Sequence, residues 1–345
     1  MKICISTVYY ASNSGAFLQA YALKTVLENM GHEVFHLKYM TLKEKKRLAL
    51  DYDNISKLKY LLKHFGFSYG TFRVYKKAAK CFNVISQNEA AKCDCMIVGS
   101  DELWNVTNEN IMRYLEKITY NNDNTFAYAI GCGDATYDDL IKYPRITNNI
   151  KRIKEIYPRD SFSKMQIERL IGKECKIVCD PTFLLDINQY KKVKYRKLSF
   201  DYIMYYGYWS EQETIDILKK YSKQKNLKLC SIGIENHRIE TNYQSSPFNF
   251  PRYISDSKLM VTSTFHGVIF SMLMNKNFVY IDLGNRKTHM LLKEFNLEDR
   301  LLSPKASYED FLSIAESDIN YKPIQEKIKE KRKNGLSVIE RILSK

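Results

Sequence analysis

The sequence predicts an α/β protein of two lobes, each a mainly parallel sheet covered by helices. Three observations predict it. A chain of 345 residues exceeds one ordinary domain. Short apolar, β-branched runs alternate with helical periods along most of its length. That alternation lapses once, between Leu185 and Ser199, and then restarts. The hydrophobic fraction of 45% supplies a packed core for both halves, and low-complexity tracts and internal repeats are absent.

The first half opens with a strand over Ile3–Thr7 and a polar loop over Tyr9–Ser14. Ala16, Ala20, Leu23, Leu27 and Met30 then recur at helical spacing, with Gly31 placed to end the helix. Further strands are predicted at Val34–Leu37, Met96–Val98, Phe126–Ile130, Arg152–Tyr157 and Lys176–Cys179, with a helix over Phe162–Ile171. Residues 186–199 are polar and basic and carry no apolar period, so they read as a linker between lobes 1–185 and 200–320. Beyond it come strand Tyr202–Tyr206, helix Glu211–Lys223, and strands Lys228–Ile232 and Leu259–Thr262. Helix Phe265–Met274 and strand Phe278–Ile281 follow. The charged, amphipathic segment Ile324–Leu343 predicts a last helix within a C-terminal segment, 321–345, able to pack back on the first lobe. Two similar Rossmann-like lobes around a central cleft make a glycosyltransferase-B-like architecture.

Net charge is +15, with basic clusters at Lys43–Arg47, Arg73–Lys80, Lys191–Arg196 and Lys322–Lys333. The excess favours anionic partners. No helix-turn-helix, zinc-finger or ribonucleoprotein signature accompanies it, which argues against nucleic acid; solvated helix faces are the plainer explanation of each single cluster. The longest apolar stretch, Leu259–Met274, is broken by Thr262, Ser263, Thr264 and His266, too short to span a bilayer. No signal-peptide pattern precedes the first strand, so the expectation is a cytoplasmic protein, with basic faces suited to an anionic inner membrane surface. The eight cysteines match no zinc framework, and several sit in apolar runs as small buried hydrophobes.

Four polar segments follow predicted strands or begin helices, where parallel sheets gather ligands. Asn13-Ser14-Gly15 offers a helix N-terminus and close backbone approach for an anion, although a tight turn needs a glycine for its own sake. Gly99–Asn105 brings Ser100, Asp101 and Trp104 to one strand end. Asp101 can accept a sugar hydroxyl's proton and Trp104 can stack on a sugar ring; the alternative makes Asp101 an N-cap and Trp104 core. Arg159, before Asp160, suits a guanidinium fork for phosphate or carboxylate, unless the two merely pair to cap the next helix. Thr262–Gly267 delivers Ser263, Thr264 and the titratable His266 into the start of an apolar helix. A satisfied core histidine is the competing reading there.

These segments resemble the motifs of the polysaccharide pyruvyl transferase family. Asn13–Leu23 is similar to its N-Y-G-A-x-L-Q-A-Y-A-L opening and Ile97–Asn105 to its V-G-S-D-x-x-W-N segment. Arg159-Asp160, Asp180-Pro181-Thr182, Ser263–Gly267 and Leu297–Arg300 are similar to its later motifs in order. Ser14 stands where an aromatic is usual, and Thr264 where some branches place an arginine. The resemblance implies transfer of the enolpyruvyl part of phosphoenolpyruvate to a sugar diol as a cyclic ketal, without a metal. In that reading Arg159, Ser263 and Arg286 hold the donor, His266 is the acid and Asp101 the base. The acceptor is a surface-polysaccharide precursor, a lipid-linked oligosaccharide. Two rivals stand beside it: a nucleotide-sugar-dependent glycosyltransferase of the same fold, and a non-catalytic binding protein of polysaccharide assembly.

Overall fold

The computed structural model describes residues 1–10, 13–41, 44, 58–191, 195–208 and 211–344. The basic residues Lys43, Lys45, Lys46 and Arg47, and residues 192–194 of the polar stretch 186–199, lie outside the described residues.

Two six-stranded sheets, parallel throughout, carry the chain. The first contains β1 (Lys2–Ser6), β2 (Glu33–Leu37), β3 (Val84–Ile85), β4 (Cys95–Val98), β5 (Thr125–Ile130) and β6 (Glu155–Pro158), in the order 3-2-1-4-5-6. The second contains β7 (Tyr202–Tyr206), β8 (Lys228–Ile232), β9 (Thr241–Tyr243), β10 (Leu259–Thr262), β11 (Phe278–Ile281) and β12 (Leu301–Leu302), in the order 9-8-7-10-11-12. The two orders are the same once the second sheet is counted from β7. Each lobe is therefore a Rossmann-like unit, and the fold is glycosyltransferase-B-like. Strands β4, β5, β7, β10 and β11 are buried at every residue, as helices on both faces of a parallel sheet require.

The strand order reverses between β1 and β4 in one sheet and between β7 and β10 in the other. Chain leaving these strands forms the crevices where such sheets bind ligands. Helix α1 (Ser14–Asn29) starts just after β1, capped by Asn13, whose side chain accepts from the N–H groups of Gly15 and Ala16. Helix α2 (Ser161–Ile171) follows β6 and is capped by Asp160 and ended by Gly172 at φ 68°. Helix α3 (Phe265–Leu273) follows β10, capped by Thr264, and α4 (Arg286–Glu294) follows β11, capped by Asn285.

Helix α5 (Tyr321–Leu343) joins the two halves. At its start Tyr321 donates to the carbonyl of Lys276 at 2.5 Å and Gln325 to that of Met272 at 2.8 Å. Further along, Arg332 donates to the carbonyls of Phe183 and Leu185 at 2.8 and 2.7 Å. Gly335 passes so close to β5 that a Cβ there would lie 2.6 Å from the Tyr128 hydroxyl.

Three local expectations are corrected. Lys176–Cys179 is not a strand: it runs beside the end of β6 with one backbone bond, Val178 N–H to Pro158 O at 2.9 Å. The strand predicted from Arg152 begins at Glu155, because Arg152 caps the preceding helix Pro144–Lys151. The polar stretch after Leu185 contains a short helix, Ile187–Lys191, whose Tyr190 is buried and donates to Thr182 O at 3.0 Å.

Candidate active site

Arg159 leaves the end of β6 and turns away from Asp160. Asp160 spends its carboxylate on capping α2, accepting from the Ser163 N–H at 2.7 Å and its hydroxyl at 3.0 Å. The guanidinium instead enters the space between the sheets, where its side chain is only 4% exposed. Arg159 Nη1 lies 3.2 Å from Asp180 Oδ2 and 3.5 Å from Asp101 Oδ1, and the guanidinium carbon sits 4.6 Å from the centre of the Phe265 ring. Its Nε and Nη2 are buried without a hydrogen-bond partner.

Asp180 is the hub of this cluster. Thr182 fixes Oδ1 through its N–H at 3.0 Å and its hydroxyl at 2.7 Å. Oδ2 faces Arg159 and lies 3.7 Å from His266 Nε2, which has no hydrogen-bond partner. Burial works against ionisation of Asp180, but His266 and Arg159 outweigh it and hold the carboxyl well below the usual carboxylate range.

Asp101 reaches the cluster through an unusual backbone. Gly99 has φ 127°, and a Cβ there would meet the Tyr128 carbonyl oxygen at 2.1 Å. Asp101 follows at φ 78°, a left-handed conformation that, glycine aside, aspartate and asparagine adopt more readily than most residues. Glu102 binds Lys287 of α4 at 2.5 Å. Burial would raise its pKa, but Lys287 and Arg159 pull it down to about 2.

The other half of the site belongs to the second sheet. His266 lies in the first turn of α3 and packs against the backbone of Gly15 in α1. Around that contact the Ser14 N–H donates to the Tyr206 hydroxyl at 3.2 Å, and Asn13 donates to the Tyr208 hydroxyl at 2.6 Å. Ser263 Oγ is buried and without a partner.

A cavity of about 460 Å³ adjoins this cluster. Arg159, Asp180 and Phe265 line it, with Lys287, Lys293 and Lys331 contributed by α4 and α5 and an apolar wall that includes Phe183 and Leu291. Arg159 and Asp180 thus touch both the cavity and the residues behind it.

The structure brings Asp101, Arg159 and His266 together around Asp180, with Asn13 and Gly15 against the second sheet. Other candidates are placed differently. Trp104 has no exposed surface and directs Nε1 toward Tyr120 Oη at 3.5 Å; it is core and has no face for a sugar ring. Ser100 is fully buried, its N–H and hydroxyl both donating to Gln19 Oε1. The Thr264 hydroxyl caps α3 by accepting from the Gly267 N–H at 3.0 Å. Arg286 does not line the cavity: it lies 3.8 Å from Asp134 and stacks over Phe162. Asp180 and Lys287 were missed as site residues. Asp180 had a signal, the Asp-Pro-Thr motif; Lys287 had none, because a lysine early in a surface helix is ordinary. Among the described residues no group of His, Cys, Asp or Glu has the arrangement of a metal site.

The chain matches the family described as Polysaccharide pyruvyl transferase over residues 13–285. It belongs to that family. The chain is accordingly a sugar-modifying transferase, and the matched region contains every member of the Asp101–Arg159–Asp180–His266 cluster. No curated protein sequence matches it significantly. Among solved structures it is similar to UDP-GlcNAc 2-epimerase from Methanocaldococcus jannaschii, at TM-score 0.56 and 12% identity over 100% of this chain and 99% of that one. It is also similar to UDP-GlcNAc 2-epimerase from Neisseria meningitidis bound to UDP-GlcNAc, at TM-score 0.51 and 8% identity over 99% of both chains. An alpha-glucosyltransferase in complex with UDP and DNA gives TM-score 0.53 and 12% identity over 100% of both. At these identities the likeness is one of fold. Among the described residues no helix is long and apolar enough to cross a membrane.

Proposed function

We propose that the chain transfers the pyruvyl group of phosphoenolpyruvate, as a ketal, onto a sugar of a surface-polysaccharide precursor. One observation carries this reading: a buried guanidinium with two unpartnered nitrogens, Nε and Nη2 of Arg159, beside a cavity and one carboxylate away from a histidine. Buried donors without partners are costly, and a carboxylate or phosphate oxygen satisfies them with charge-assisted bonds.

In this reading the lobe of residues 1–185 contributes Asp101, Arg159 and Asp180, and the lobe of 200–320 contributes Ser263 and His266. Arg159 orients the donor, with Ser263 as a further hydroxyl. His266 gives a proton to the methylene carbon, which becomes the methyl group, and positive charge develops at the adjacent carbon. One sugar hydroxyl attacks that carbon and loses its proton to Asp101. The carbon–oxygen bond to phosphate breaks, phosphate departs with the proton that Asp101 took up, and the neighbouring hydroxyl closes the ketal as its own proton restores His266. Asp180 holds Arg159 and faces the His266 ring, its Oδ2 3.7 Å from Nε2. A lipid-linked acceptor fits a chain of charge +15 working at an anionic membrane face.

A donor screen by thermal shift tests the proposal. Phosphoenolpyruvate well above its Kd raises the melting temperature by mass action. Stabilisation by UDP- or GDP-sugars, with none by phosphoenolpyruvate, would replace this reading with a nucleotide-sugar-dependent glycosyltransferase. No stabilisation by either class, with no turnover, would leave a binding protein.

A further inference from the structure

Residues 54–88 carry seven lysines and arginines and no aspartate or glutamate, in a chain with 39 acids among its 345 residues. Most of this stretch is one helix, Leu58–Ala78, continued by a short turn, Ala79–Cys81. Thr71, Phe72, Tyr75 and Ala78 are buried, whereas Tyr69, Arg73, Lys76, Lys77 and Lys80 are exposed. Each helical residue advances by about 100°, so positions 69, 73, 76 and 77 share one face, opposite the buried one, and Lys80 extends it. Among the described residues no acid pairs with any of these four cations.

The basic cluster Lys322–Lys333 is built differently. Glu326 and Glu330 interrupt its lysines, and Lys331 pairs with Glu294. A helix of interleaved charges is a solvated surface. One whose exposed face is wholly cationic carries a positive potential that an extended anionic surface neutralises.

The face is also held firmly beside the candidate site. On the buried side the Tyr75 hydroxyl meets Ser14 Oγ at 3.0 Å, next to the Gly15 that packs on His266. Gln244 of the second lobe donates to the carbonyls of Gly66 and Phe67 at 3.1 and 3.2 Å, so both lobes hold the helix. Two apolar side chains flank the cations along the chain. Tyr69 is 44% exposed, and Val84, on the edge strand β3, is 41% exposed. Tyrosine, with an apolar body and a polar tip, suits the boundary between water and lipid. Cations with exposed aromatic and aliphatic neighbours are what a helix lying on an anionic bilayer presents; a nucleic acid shares the charge but gives Val84 no role.

We propose that this face, Arg73, Lys76, Lys77 and Lys80 between Tyr69 and Val84, docks on the anionic lipid surface that carries the acceptor. The choice of lipid rests on the reading of the acceptor as lipid-linked, and the test keeps the two apart.

Sedimentation of the whole chain with vesicles tests the proposal. Vesicles of equal parts phosphatidylcholine and phosphatidylglycerol are compared with phosphatidylcholine alone, for the wild type and two quadruple variants. The first combines Arg73→Gln, Lys76→Gln, Lys77→Gln and Lys80→Gln. The second makes the same charge change at exposed residues of other helices, Lys223→Gln, Lys322→Gln, Lys329→Gln and Lys333→Gln. The wild type partitions onto the anionic vesicles, less so as salt rises, and not onto the neutral ones. Four cations at an anionic surface strengthen partitioning by roughly two to three powers of ten. The first variant loses binding by that factor, and the second stays within a few-fold of the wild type. If the first variant melts early, its halves, Arg73→Gln with Lys76→Gln and Lys77→Gln with Lys80→Gln, each lose roughly tenfold or more. Equal binding to both kinds of vesicle, binding retained by the first variant, or equal losses in both variants overturns the inference. So does a single-stranded oligonucleotide that binds more tightly than the anionic vesicles and is lost with the same four residues. Pyruvyl transfer to a water-soluble sugar acceptor is unchanged in the first variant. Vesicle binding in the expected pattern without any pyruvyl transfer retains the surface and removes the reaction. Pyruvyl transfer by a wild type that binds no vesicle does the reverse.

Discussion

The backbone of Gly15 packs against the imidazole of His266, so close that a Cβ on Gly15 would stand 2.2 Å from both Cγ and Nδ1 of the ring. One residue opens the first helix of the chain and the other opens the helix after β10, so the contact joins the two sheets at their ligand-binding ends. Alanine at position 15 opposes two effects. It raises helix propensity by about 1 kcal/mol relative to glycine, yet its methyl group cannot share space with the ring. The clash with a buried ring outweighs that gain, since overpacking costs typically about 1–3 kcal/mol or more. Gly15→Ala is therefore expected to lower the melting temperature, while kcat per folded molecule falls by roughly an order of magnitude or more through displacement of the general acid. Unchanged turnover per folded molecule would show that the ring's position is immaterial.

His266→Gln retains approximate size and polarity and removes the titratable proton. Loss of general-acid help lowers kcat by ~10²–10⁴, with donor binding largely intact. One limb of the pH profile of kcat disappears with it. A core histidine without a chemical role gives the reverse pattern, a depressed melting temperature with normal turnover per folded molecule. Melting temperature and single-turnover rate on one preparation distinguish the two.

Arg159→Lys preserves charge and loses the planar fork. Donor affinity falls by roughly one to two powers of ten if Nε and Nη2 together grip the anion. Arg159→Met is a different experiment. It leaves Asp180 buried opposite an apolar chain, a loss of the kind that costs about 3–5 kcal/mol, so the melting temperature drops before any assay of activity. A wild-type donor KM in Arg159→Lys would place the guanidinium outside the donor site.

His36 gives the fold a pH dependence separate from the site. It is fully buried on β2, packed against the rings of Tyr9 and Phe82, and neither ring nitrogen has a hydrogen-bond partner. Burial, with Lys24 adding to it, pushes its pKa from 6.5 down to about 3. The unfolded chain takes up a proton as pH falls through 6.5 and the folded chain does not. Stability present above 6.5 is therefore lost as pH descends toward 3, by about 1.4 kcal/mol for each pH unit within that window. Denaturant melts of the wild type and His36→Phe at stepped pH check this. The wild type loses stability more steeply below 6.5, and equal slopes would contradict a buried neutral imidazole.

The interior strands were legible in the sequence because burial on both faces writes them as continuous apolar runs. Tyr202–Tyr206, Leu259–Thr262 and Phe278–Ile281 form with the bounds their composition predicts, as does Lys228–Ile232, which is buried only from Cys230 onward. Of the edge strands only Glu155–Pro158 was legible among the described residues. Val84–Ile85, Thr241–Tyr243 and Leu301–Leu302 are two or three residues long and carry no period to detect. Lys176–Cys179 has strand composition but makes one bond to the sheet, since composition reports burial and not pairing. At the site, Arg159, Asp101 and His266 were visible as polar residues in sheet-end segments. Trp104 misled because an indole beside a carboxylate looks alike whether it faces a ligand or the core. Asp180 and Lys287 depend on contacts between segments remote in sequence, Asp180 with Arg159 and His266, Lys287 with Glu102.

Helix α5 also bears on how the chain is made. It lies against Tyr128 of β5 and fastens the turn at Phe183 and Leu185 through Arg332, yet it is synthesised after the whole of the second sheet. A nascent chain that has emerged only as far as the end of β6 has all six strands of its first sheet and lacks the helix that covers part of that face. Completion of the first half thus waits on the ribosome's delivery of residues 321–343. Until then the uncovered surface is open to chaperones and to other nascent chains.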